Sequence, residues 1–240
     1  MNQYRSRLQV MAGTFFMILL VCSCNPKIGD GLRKKDLKKD VEMVTTSGTM
    51  VIRLSDSTPQ HRNNFLKLVK QHYYDSVLFH RVIKNFMIQG GDPDSKRAVA
   101  GKQLGNGGPA YTIPAEFRST LFHEKGAIAA AREGDDVNPK KASSGSQFYI
   151  VQGKKFTDAG LDSVETYRLK GRKIPPDWRI LYKTIGGTPH LDQGYTVFGK
   201  LVKGMDVLDS IASVATGGRQ GGDRPIKDVR IISVKLIKRR

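Results

Sequence analysis

Phe79-His80-Arg81-Val82-Ile83 and, two residues on, Phe86-Met87-Ile88-Gln89-Gly90-Gly91-Asp92 decide the reading of this 240-residue chain. Both stretches are short, apolar and rich in β-branched or aromatic residues, so they predict strands within 77–83 and 86–89. Arg81 stands among residues that would otherwise be core. An arginine in such a place is costly unless it is paired or engaged in function. Gly90 and Gly91 serve backbone geometry, not chemistry.

Working outward, 41–46 and 50–54 predict a hairpin around the tight turn Ser47-Gly48. Thr58-Pro59 predicts a helix start, with Thr58 as cap and Pro59 in the first turn. Phe65, Leu66, Leu68 and Val69 give that helix its apolar face. Further short β-rich runs lie at 126–131, 147–151, 195–198 and 229–237, and a second helix is predicted at 205–212. Many short strands with few helices argue for an antiparallel barrel or sandwich. Residues 154–189 depart from this rhythm. Helix-like stretches at 161–170 and 177–183 flank Pro175-Pro176, and the single tryptophan, Trp178, lies here. This segment reads as a helical insertion between two strands.

The FHR block and the F-M-x-Q-G-G-D block together resemble the signature of the cyclophilin family of peptidyl-prolyl cis-trans isomerases. Three more blocks follow in family order: Ser144-Gly145-Ser146-Gln147-Phe148-Tyr149-Ile150, Leu191-Asp192 and Val197-Phe198-Gly199-Lys200. Upstream, Thr58-Pro59, Asn64-Phe65 and Leu68 match the family's first helix, and 111–117 resembles bacterial members. The resemblance covers roughly residues 41–240 apart from the insertion. It implies a mainly β fold: a closed antiparallel eight-stranded barrel with two flanking α-helices, here with an extra helical insertion.

An X–Pro bond is nearly balanced between cis and trans, yet its rotational barrier is about 18–20 kcal/mol. A catalyst must weaken the amide's double-bond character and grip the chain on both sides. A cation donating a hydrogen bond toward the prolyl nitrogen does the first, and an apolar slot for the ring does part of the second. Carried over by the resemblance, Arg81 is the expected catalytic guanidinium. Gln89, with Gln147, holds substrate backbone or positions Arg81. Phe86, Met87 and Leu191 are expected to line the proline pocket, with Ala131, Arg132, Tyr149, His190 and Tyr195 completing the substrate site. Four of these depart from the common pattern. Tyr149 replaces the usual Phe, Tyr195 the usual His, Arg132 the usual Asn, and His190 the Trp of cyclosporin-sensitive members. The first two keep activity, Arg132 adds positive charge near the groove, and His190 implies weak cyclosporin binding. The resemblance implies no cofactor. His61, His72, His80, His123 and His190 have no metal-ligand spacing, so no metal is expected.

With 39% hydrophobic residues and 26% charged, the chain is neither a polytopic membrane protein nor wholly disordered. Cys22 and Cys24 are its two cysteines, so 25–240 lacks a thiol, which excludes disulfide scaffolds and cysteine nucleophiles there. Arg5 and Arg7 precede an apolar run of about 12 residues at 10–21, too short for the roughly 20 a spanning helix needs. This is the form of an export signal. Val21-Cys22-Ser23-Cys24 resembles the bacterial lipobox, which implies a signal at 1–23 and acylation of Cys24. An uncleaved anchor and an ordinary secretory signal are the alternatives. Residues 24–40 read as a tether whose cluster Arg33, Lys34, Lys35, Lys38 and Lys39 either rests on anionic headgroups or is a solvated linker.

The expected function is isomerisation of X–Pro bonds in exported proteins by a monomer held on the cell envelope by its lipid. It would face the periplasm. Asn25 after the cysteine, in place of Asp, favours the outer membrane over the inner. The alternative is a weakly catalytic module that binds proline-containing segments of an envelope partner. A net charge of +18 would suit nucleic acid, but no RNA-recognition signature accompanies it, and an export signal argues against that partner.

Overall fold

The computed structural model describes residues 31–239; the expected signal, Cys22 and Cys24 lie outside the described residues. Ten strands and four α-helices follow in chain order. The first four are β1 (Lys39–Thr45), β2 (Gly48–Leu54), α1 (Pro59–Lys70) and β3 (Arg81–Ile83). Next come β4 (Met87–Gly90), β5 (Thr112–Ile113), β6 (Ala127–Ala130), β7 (Ser143–Ser144) and β8 (Phe148–Val151). The insertion holds α2 (Asp158–Tyr167) and α3 (Pro176–Thr184). The chain then adds β9 (Val197–Lys203), α4 (Met205–Ala212) and β10 (Ile231–Lys238). The two predicted helices and both helices of the insertion are present, within a few residues of the expected bounds. No helix among the described residues is long and apolar enough to cross a membrane.

Eight strands form one antiparallel sheet in the order β10-β1-β2-β9-β6-β8-β4-β3, and β5 pairs with β7 apart from it. The sheet curls, but the expected closed barrel is only partly realised. Between its edges, β3 and β10, lies a seam of one isolated bridge, Leu78 with Arg230. Backbone bonds from Phe79 N–H to Val229 and from Ile231 N–H to Val77 support it. The reason is the length of β3. Of the predicted run 77–83, three residues are strand, too few to span the edge of β10.

The strands' alternation divides burial between two clusters. Phe148 and Ile150 of β8, Ile128 and Ala130 of β6 and Ile88 of β4 point into the main core, beside Phe65 of α1. Phe65, Tyr74 and Phe148 meet at 4.9–5.6 Å, Phe148 edge-on to both other rings. Tyr149 and Val151, Ala127 and Ala129, and Met87 face the other way into a second cluster with Val197. That outer cluster is the floor of the site.

Two local expectations are corrected. Thr58 precedes α1, but its side chain makes no capping bond. Glu116 takes that role: its carboxylate accepts Gln60 N–H at 3.2 Å and His61 N–H at 2.9 Å. A full negative charge at a helix start outweighs a hydroxyl. The basic stretch expected as tether divides. Leu32 and Asp36 are buried, Asp36 pairs with Lys39 and Lys70, and the chain lies on the fold from Leu32 onward.

Candidate functional site

Strand register assembles the site. Arg81 on β3 stands opposite Gln89 on β4, Gln89 opposite Tyr149 on β8, and Tyr149 opposite Ala129 on β6. Four neighbouring strands therefore put these side chains in one row on the outer face. One pleat along, Ile83, Met87 and Val151 form a second row. Above them is a pocket of about 180 Å³ lined by Arg81, Phe86, Met87, Gln89, Ala131, Arg132, Tyr149, Leu191 and Tyr195.

The polar end of this pocket is a chain of hydrogen bonds. Arg81 Nη1 donates to Gln89 Oε1 at 3.4 Å, and Gln89 Nε2 donates to Gln147 Oε1 at 3.1 Å. Gln147 Nε2 in turn donates to the carbonyls of Gly105 and Gly107, both at 2.8 Å. Asp223 lies 3.7 Å from Arg81 Nε. The guanidinium is thus oriented from two sides, yet its side chain stays 42% exposed, open to a ligand in the groove. Gln147 is not in the pocket wall. It lines the adjoining cleft of about 510 Å³, which shares Gln89, Ala131 and Arg132 with the pocket.

The apolar end is aromatic and aliphatic. Tyr195 meets Tyr149 edge-on at 5.9 Å, and the Arg132 guanidinium lies 4.4 Å above the Tyr195 ring. Arg132 is also held through Nε and Nη1. It donates to the Gly194 and Glu133 carbonyls and pairs with Asp135 at 2.7 Å. Its side chain is 6% exposed, so it straps the pocket wall. That pairing holds the Asp135 carboxyl below its usual range. His190 is not in the pocket wall; it stacks on Phe86 at 5.7 Å.

Nine of the eleven residues expected from the sequence thus share the pocket, with Gln147 one bond behind and His190 one ring outside. Sequence reading missed Asp223, which bears on Arg81, and the buried group His123, Asp192 and Tyr182 behind Tyr149. Their spacing carries no local signal; Asp192 could be found as part of the Leu191-Asp192 block, without a role. Among the described residues no group of His, Cys, Asp and Glu is arranged to hold a metal.

Burial pushes the His80 and His190 imidazoles down to about 4, and His61 downward too, against the partial opposition of Glu116. In the fold His80 and His190 stay neutral down to about pH 4, whereas in the unfolded chain they take up protons near the ordinary 6.5. Between those values the unfolded state binds more protons, so folding stability falls as pH falls. The expected result is a melting temperature level above about pH 7 that drops as pH is lowered from about 6.5 toward 4. Calorimetry across that window checks it; a level profile would show these imidazoles titrating freely in the fold.

Comparison with known proteins agrees with this architecture. The family model "Cyclophilin type peptidyl-prolyl cis-trans isomerase/CLD" matches residues 40–236. A Staphylococcus haemolyticus protein named "Putative peptidyl-prolyl cis-trans isomerase" is 34% identical over 212 residues, 88% of this chain and 96% of that protein. A Streptococcus pyogenes protein named "Putative bifunctional phosphatase/peptidyl-prolyl cis-trans isomerase" is 38% identical over 202 residues. These are 82% of this chain but 38% of that longer relative. In fold, the chain resembles a Cryptosporidium parvum cyclophilin type peptidyl-prolyl cis-trans isomerase, of which a second structure was solved in the presence of the dipeptide Ala-Pro. For the first structure the TM-score is 0.61 and the identity 23%, covering 84% of this chain and 99% of that one. The match over 40–236, joined to a relative aligned over nearly its whole length, means that the chain belongs to the cyclophilin-type peptidyl-prolyl cis-trans isomerase family.

Proposed function

We propose that this groove accelerates rotation about X–Pro bonds in exported polypeptides, and that the protein works from a lipid anchor on the cell envelope. One observation carries the catalytic part: a half-exposed guanidinium, held by Gln89 and Asp223, stands beside an apolar pocket of about 180 Å³. Phe86, Met87, Leu191 and the Tyr149 ring enclose the prolyl ring. Arg81 donates to the prolyl nitrogen as the amide twists and its lone pair localises. That interaction exists in the twisted state and not in the planar one, which is the condition for lowering the barrier. No bond is made or broken.

The test is exchange spectroscopy on a short X–Pro peptide with the full chain. Exchange faster than in buffer is expected. Exchange no faster than in buffer, with the peptide still bound, would transfer the function to a binding module that holds proline-containing segments.

The anchored location is supported by charge and by where the chain ends meet. Lys39 is opposite Lys238 in the β1–β10 ladder. The exposed Arg33, Lys34, Lys35 and Lys38 therefore share one end of the sheet with the exposed Lys238. Each cation contributes about 1 kcal/mol beside an anionic membrane surface. Cys24 is seven residues upstream of Gly31, the first described residue. Growth with a fatty-acid analogue should label the wild type and leave Cys24→Ala unlabelled; equal labelling of both would remove the anchor.

A further inference from the structure

The helical insertion ends against the proline pocket. Its two ends meet where Lys154 bridges Gly187, and Glu124 bridges Gly187 from the barrel side. The returning chain donates Thr188 N–H to the His123 carbonyl at 2.9 Å and then turns through Pro189–Leu191 into Asp192. Leu161, Ile174 and Tyr182 form a small core of the insertion, against which Phe122 packs. Phe122 stacks on Trp178 at 4.3 Å.

A buried polar chain runs from that core to the pocket. Tyr182 O–H donates to Asp192 Oδ2 at 2.6 Å. His123 backbone N–H donates to Asp192 Oδ1 at 2.9 Å, and His123 Nδ1 lies 2.9 Å from the same oxygen. His123 Nε2 is 2.9 Å from the Tyr149 hydroxyl. The carboxylate accepts, so Nδ1 carries the proton. In the neutral imidazole Nε2 then has its lone pair free and accepts from Tyr149 O–H. His123 and Tyr182 are 0% exposed, Asp192 4% and Tyr149 5%, so water cannot replace a lost partner without the site opening. Arg172, between the two inserted helices, also donates to the Asp192 carbonyl. This chain meets the pocket at two points: Tyr149, at its far end, is part of the wall, and Asp192, in its middle, follows Leu191, which is another part.

We propose that the insertion is a strut for the proline pocket. On this proposal Tyr182, Asp192 and His123 are positioning residues that fix Tyr149 and Leu191 against the prolyl ring. It rests on the reading of the groove as an isomerase site. The strut leaves Arg81 untouched, so its loss acts on substrate binding and not on the twisting step.

The test is a double-mutant cycle in the full chain with Tyr182→Phe and Tyr149→Phe, both of which keep the ring. Tyr182→Phe should raise KM for a short X–Pro peptide on the order of fivefold, the worth of one buried hydrogen bond, with kcat within about twofold. The two changes should be non-additive, because each breaks the same chain. NMR of the His123 ring nitrogens and the Tyr149 ring gives a readout that needs no turnover. Tyr182→Phe should shift both, although Tyr182 touches neither ring nitrogen. Additive effects, an unmoved KM with a lowered melting temperature, or unshifted His123 and Tyr149 resonances would overturn the strut. Absence of exchange in the wild type would count against the isomerase reading alone; the NMR arm would still decide the strut.

Discussion

Arg81→Ala should lower kcat/KM for an X–Pro peptide by about two to three orders of magnitude, the usual loss when one aimed donor to a transition state is removed. The melting temperature should hardly move, because the side chain is 42% exposed and stands at the sheet edge, not in the core. Arg81→Lys should not restore the rate. The guanidinium reaches Gln89 through Nη1 and Asp223 through Nε, leaving Nη2 for the substrate. An ammonium is a point charge on a flexible stem and cannot hold both partners in fixed directions. Exchange measured for the three proteins at matched concentrations decides the matter. An alanine variant as fast as wild type would sink the assignment of Arg81.

Gly91→Ala should be the most damaging small substitution in the site. Gly91 has φ +95°, where an L-residue is strained. A Cβ there would stand 2.3 Å from the Ser146 carbonyl oxygen and 2.8 Å from Gln147 Cα. Both are backbone atoms, so the strand entrance at 146–147 must move. Strain in the left-handed region costs about 1–2 kcal/mol, and the displaced segment adds to it. For a chain of this size each kcal/mol lowers the melting temperature by about 2–4 °C, so a fall of about 10 °C is expected. Activity should fall with it, since Gln147 orients Gln89. A variant melting within a degree or two of wild type would contradict the close approach of the two segments.

Much of this was legible because it is local. The two blocks around Arg81 carry strand composition, and the pairing of the strands then sets Arg81 opposite Gln89 on one face. The insertion was legible as a break in rhythm. What stayed hidden depends on distant partners. Thr58 is a good local cap, yet Glu116, 55 residues beyond His61, holds the start of α1. Asp192 reaches His123 across 69 residues, and only the folded chain brings Tyr149 to them. Barrel closure, implied by the family resemblance, is only partly realised because motif blocks do not fix strand length, and β3 ends after three residues. Arg132 is a further case. Composition gives its charge, whereas its partners Asp135 and Gly194 and the Tyr195 ring beneath it decide that the charge is spent on the wall.

The pairing of β1 with β10 has a consequence for how the molecule comes into being. Val41 finds Leu236 and Met43 finds Val234, and the bridge between Leu78 and Arg230 waits on the same final segment. A ribosome delivers β1 first and β10 last. Until β10 arrives, one edge of β1 stays open, and open edges invite pairing with other chains. Contacts this far apart in sequence also form slowly. Synthesis and completion of the fold are thus separated in time: the domain closes as its two ends meet, and the newly made chain needs shielding until then.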